Sequence, residues 1–170
     1  LKIISHMKYA TLALLVFMLG SCSRDYRYTG DPLDYVPGDA ALILETPNPD
    51  LFFSNLRNNL LIRQNNEHPL YHQLQQQLSF IQHFEHADPA VLAFANLGEK
   101  IHYTLIIKGI PEIDSLSDVQ HRQVETIKYG KTEFTKYTLD HKVSYVGSVD
   151  SLLLISDSED LMRQSLEGKH

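Results

Sequence analysis

The feature that most restricts the fold is a series of short alternating runs separated by pairs of turn residues. Val124 to Tyr129, Thr132 to Leu139, Lys142 to Val149 and Leu152 to Ser156 read as strands, and Gly130-Lys131, Asp140-His141 and Asp150-Ser151 fall between them. A two-residue connection leaves room only for a hairpin, so successive runs must pair antiparallel. Upstream, Ala90 to Ala95 and Ile101 to Lys108 read as two more strands joined at Asn96 to Lys100, with Gly98 supplying the turn. Ile101, Tyr103, Leu105 and Ile107 share one face of the second. Gly109 to Asp118, which contains Pro111, is a connection between the two sets.

Helical signals flank the strands. Ala40 to Glu45 (AALILE) is a short apolar run between turn residues, read as a buried strand. Asn48-Pro49-Asp50 then supplies a cap, a proline at the first helical position and an acid in the first turn. Phe52, Phe53, Leu56 and Leu60 follow on one face, and Asn65-Asn66 ends the segment. Pro69 opens a second expected helix running to about Glu85, with Leu70, Leu74, Leu78, Ile81 and Phe84 as its apolar stripe. A last helix starts near Asp157 or Ser158, where Ser156 to Glu159 spells a capping box; Leu161, Met162 and Leu166 face the sheet and Gly168 stops it. The expected fold is α+β: an antiparallel meander with two N-terminal helices and one C-terminal helix packed on one face. No segment recurs within the chain.

The first 22 residues carry a different signal. Ala10 to Leu19 is an uncharged apolar run preceded by Lys8, and Leu19-Gly20-Ser21 leads directly into Cys22, the single cysteine of the chain. A positive start, a short apolar core and small residues before a cut describe a secretory signal. Ten helical residues cover roughly 15 Å, half a bilayer core, so the run is too short to span. Met7 to Cys22 resembles the lipobox signal of bacterial lipoproteins. The resemblance implies peptidase recognition through Leu19, Gly20 and Ser21, cleavage before Cys22, and lipidation of its thiol and new amino group. Two or more acyl chains give stable anchoring where one does not. Ser23 after the cysteine, where the family uses Asp for inner-membrane retention, implies the outer membrane. Residues 1–21 are then a signal peptide, with 1–6 an over-extended start ahead of Met7-Lys8. Residues 22–38 are the lipidated cysteine and a tether whose tyrosines (Tyr26, Tyr28, Tyr35) also allow docking on the domain. Residues 39–170 form one α+β domain. Val36 to Glu45 and Leu152 to Glu159 resemble the first module of bacterial lipoproteins that carry a domain of unknown function, which implies that this is the first module of a longer protein.

Composition narrows the partners. The formal charge is −6, and it becomes −8 once the leader takes Lys2 and Lys8 with it. An acidic chain argues against nucleic acid. With no second cysteine an intrachain disulfide is impossible, so stability rests on packing. Nine histidines invite a metal reading, and His68, His72, His83 and His86 bracket the second expected helix. Each pair shares a face, but the pairs lie roughly 16 Å apart along a helix axis, too far to hold one ion together. Glu67 and Glu85 are the near acids, and a zinc site wants three or four ligands. The plainer reading is a polar face that uses histidine. His102, His121 and His141 sit singly and read as surface. No G-x-S-x-G elbow, P-loop, G-x-G-x-x-G or H-E-x-x-H occurs, and a lipidated Cys22 excludes thiol catalysis. The sequence therefore points to a lipid-anchored envelope protein with a binding or assembly role, membrane-bound through its anchor, with an envelope protein as partner and with no cofactor and no catalytic residues. Two alternatives stand beside it: a metal or small-ligand binder using the histidine-bearing segment 68–86, and part of a larger envelope hydrolase.

Overall fold

The structure is a computed structural model that describes residues 29–60, 64, 72, 78–83, 88–109, 123–139 and 141–168. Its centre is one seven-stranded sheet: β1 (Ala40–Thr46), β2 (Ala90–Leu97), β3 (Lys100–Lys108), β4 (Gln123–Tyr129), β5 (Thr132–Leu139), β6 (Lys142–Val149) and β7 (Leu152–Ser156). The spatial order is β1-β2-β3-β7-β6-β5-β4, and every neighbouring pair is antiparallel. The hairpin turns fall where the sequence puts them, with Leu97 opposite Lys100, Tyr129 opposite Thr132, Leu139 opposite Lys142 and Val149 opposite Leu152. Asp150 and Ser151 both have positive φ (47° and 62°), as the two central residues of a type I′ turn must.

Three parts of the expected architecture are corrected. The sheet is not a simple meander, because β3 pairs with β7 and not with β4. The connection from β3 carries the chain to the far edge, and the four later strands then return toward the centre.

The helices do not share a face. Two α-helices are described from end to end, α1 (Pro49–Asn58) and α2 (Glu159–Glu167). Phe52 and Phe53 of α1 pack with Leu92, Leu105, Ile107, Leu153 and Ile155, whereas Met162 and Leu166 of α2 pack with Val91, Ala93, Ile106, Leu152 and Leu154. These two groups alternate along β2, β3 and β7, so they are opposite faces of the sheet. Strands covered on both sides read as continuous apolar runs, which is how Leu152-Leu153-Leu154-Ile155 appears in the sequence.

The second N-terminal helix expected over 69–85 is also corrected. Within that span His72 is α-helical, Leu78–His83 forms a 3-10 turn, and the rest lies outside the described residues. Leu78 and Ile81 are both buried at a spacing of three, and residues i and i+3 eclipse in a 3-10 turn.

Local chemistry sets the helix ends. The Asn48 side chain accepts from the Leu51 N–H at 2.8 Å and starts α1 at Pro49. The cap of α2 is Ser158, whose Oγ accepts from the Leu161 N–H at 3.5 Å. Ser156, expected to cap it, is still the last residue of β7. α2 lies close to β6 because position 147 is glycine: a Cβ there would stand 3.2 Å from Phe134 Cβ and 3.4 Å from Met162 Sδ. The segment from Thr29 also lies against the domain. Pro32–Tyr35 forms a 3-10 turn, Tyr35 and Val36 join the α2 face, and the Tyr35 hydroxyl donates to the Asp150 carboxylate.

Candidate functional site

Two places in the fold combine chemistry with an arrangement that neighbouring sequence does not dictate. The first is a polar cluster where β3, β7 and the start of α2 meet. Asp157, just past β7, accepts from the Tyr103 N–H at 2.9 Å, and its Oδ1 lies 3.3 Å from His102 Nδ1 without the alignment of a hydrogen bond. Burial raises the Asp157 pKa, while the Tyr103 N–H and the neighbouring His102 oppose that rise. Ser156 is fully buried and its Oγ donates to the Tyr103 carbonyl at 2.7 Å. The same Oγ accepts from Thr104 Oγ1 at 3.2 Å and from the Ser158 N–H at 3.2 Å.

A serine, a histidine and an aspartate thus come together, but not as a nucleophilic triad. The serine proton goes to a backbone carbonyl and the oxygen is closed to solvent, whereas a nucleophile needs a free proton path to its base. The cluster instead locks the end of β7 to β3 and hands the chain to α2. The Tyr103 hydroxyl is buried beside Ser144 with no hydrogen bond closed among the described residues, and burial pushes its pKa up.

The second place is the β1 edge. β1 pairs with β2 on one side, and among the described residues no strand lies on the other. Leu42 stands opposite Phe94 and Ile43 opposite Ala93, so the two side chains point to opposite faces of the sheet. Leu42 is 50% exposed and Ile43 is 46% exposed. The run AALILE is therefore a half-wet edge and not the buried strand that its composition suggests. Glu45 is its one charge. Leu33, before β1, and Leu51, in α1, are exposed as well. The opposite edge, β4, is guarded differently. It carries Glu125 and Lys128 on exposed positions, and Glu125 pairs with Lys136 at 3.3 Å. Charges on an edge strand discourage pairing with another chain, and β1 lacks them over Ala40 to Leu44.

The residues singled out by sequence fare differently. Leu19, Gly20, Ser21 and Cys22 lie outside the described residues, as do His68 and His86. His72 is exposed, and His83 ends the 3-10 turn. Among the described residues no group of three or more His, Cys, Asp or Glu side chains is placed to hold a metal ion. No helix among them is long and apolar enough to cross a membrane. The His102–Asp157 pair escaped the sequence reading because the two residues are far apart in the chain. The available signal was the capping run Ser156 to Glu159, which holds one acid more than a cap requires. Compared with known proteins, the chain matches no protein-family model, no curated protein and no solved structure.

Proposed function

We propose that the protein is a lipid-anchored component of a bacterial cell envelope, held at the outer membrane through Cys22, whose domain binds or assembles with another envelope protein and does not catalyse a reaction. The observation that carries the reading is Cys22 itself: one cysteine, placed after a short uncharged run and two small residues, in a chain that uses no other. Two further observations support it. The serine and the aspartate that meet in the fold hold backbone groups of Tyr103 and Ser158 with their side-chain oxygens. Among the described residues no strand pairs with the outer side of β1, and Leu42 and Ile43 there are about half exposed, a surface suited to recognition by strand addition.

The test is mass spectrometry of the processed N-terminus together with membrane fractionation. The expected product begins at Cys22, carries a diacylglycerol thioether and an acylated amine, and sediments with membranes. Cys22→Ser abolishes the lipid mass at the N-terminus. A bare thiol on a freely soluble product overturns the reading.

A further inference from the structure

We infer that the β1 edge is a self-association surface, on which β1 of a second copy pairs antiparallel to build one continuous sheet across two molecules. The anchoring clause of the inference rests on the lipid attachment proposed above. Three observations select a second copy as the occupant.

The first is charge. In an antiparallel pair centred on Ile43, Leu42 meets Leu44 and Glu45 meets Ala41. This register puts apolar residues opposite apolar ones and does not set Glu45 against Glu45. In an acidic chain, this edge is a place where two copies meet without facing acids.

The second is the geometry of the anchor. Cross-strand partners in an antiparallel pair point to the same face, so the two-fold axis relating the copies runs through the sheet and keeps each face on its own side. The segment Thr29–Val36 lies on the α2 face, with Tyr35 and Val36 packed there and Thr29 Oγ1 donating to the Asp150 carbonyl. The described chain therefore begins on the same side in both copies, as anchoring in one membrane requires.

The third is reach and area. Six residues separate Cys22 from Thr29, and at about 3.5 Å per residue they keep the docked segment within roughly 25 Å of the lipid. A seven-residue strand is about 23 Å long. Strand pairing along it, with sheets about 10 Å thick, covers roughly 250 Å² per copy, far less than the ~800 Å² per partner of a stable soluble complex. The contact is therefore weak between free molecules. It forms when anchoring confines copies to one surface and raises their effective concentration.

The experiment introduces Ile43→Cys in the full chain, expressed and lipidated in a Gram-negative host. Cys22 is then a thioether, so position 43 holds the single free thiol. Val124→Cys on the β4 edge is the control, since Val124 is equally exposed. Mild oxidation of membranes is expected to give about tenfold more disulfide dimer from position 43 than from position 124. Adding Leu42→Lys should abolish the difference while circular dichroism stays unchanged. Equal yields from positions 43 and 124, or a yield insensitive to Leu42→Lys in a folded protein, overturn the inference. Should mass spectrometry find Cys22 unmodified, the anchoring reading alone fails. The edge is then judged on Cys22→Ser protein at millimolar concentration, where dimer from position 43 upholds self-pairing and its absence ends it.

Discussion

Two leucines separate interior from edge. Leu154 lies on β7, hydrogen-bonded into the sheet on both sides, opposite Ile106 and Gly147, and is 0% exposed. Leu42 lies on β1, opposite Phe94 on one side only, and is 50% exposed. Truncation to alanine removes the same atoms from each. At Leu154 the loss combines transfer of the deleted carbons with a cavity that flanking strands cannot fill, about 3–4 kcal/mol. At Leu42 half of the side chain is already wet and solvent replaces what is removed, so about 1 kcal/mol is lost. The contrast of about 2–3 kcal/mol is measurable by urea unfolding followed by far-UV circular dichroism. The protein should be at about 1 μM, where weak association contributes nothing to stability. A Leu42→Ala loss as large as that of Leu154→Ala would refute the reasoning, because β1 would then be packed inside a layer and would not be an open edge.

Two pH profiles test the polar contacts. Burial raises the Asp157 pKa above the ordinary 3.8, so the folded state holds that proton more tightly than the unfolded chain. Stability from this group is complete below the ordinary value and declines as pH rises through the raised one. Asp157→Asn keeps an acceptor for the Tyr103 N–H and should remove that decline in urea unfolding across weakly acidic pH; an unchanged profile refutes the assignment. The hydrogen bond to Asp150, with burial, pushes the Tyr35 pKa up to about 12 from 10.0. The stability it gives is present below pH 10 and lost as pH approaches 12. Tyr35→Phe should cost about 1 kcal/mol near neutral pH and flatten that alkaline loss. An equal fall in both proteins between pH 10 and 12 would show that the contact is not made.

Much of the strand content was legible because β-hairpin chemistry is local. Gly98, Gly130, His141 and the Asp150-Ser151 pair adopt positive φ at the turns read from sequence, and the intervening runs became strands. Helix α1 was equally plain in Asn48-Pro49-Asp50. What escaped was non-local. Nothing in β3 or β7 alone specifies that they pair with each other, and that pairing converts a meander into a sheet closed at its middle. The face assignment failed for a related reason. A run such as Leu152 to Ile155 has no polar side, so alternation does not show that both faces carry a helix. The AALILE segment failed in the opposite sense, since hydrophobicity reports a preference for burial and not whether a neighbour exists to provide it. Of the candidate site, the exposed edge and the His102–Asp157 contact required coordinates, because each depends on which elements stand side by side.

The place of β7 has a consequence for biogenesis. It is the last of the seven strands to leave the ribosome, yet it fills the slot between β3 and β6. Until residues 152–156 emerge, β3 and β6 each lack the partner that β7 supplies in the described fold. A product truncated before Leu152 should therefore be recovered as aggregate or bound to chaperones, and not as a stable half-domain.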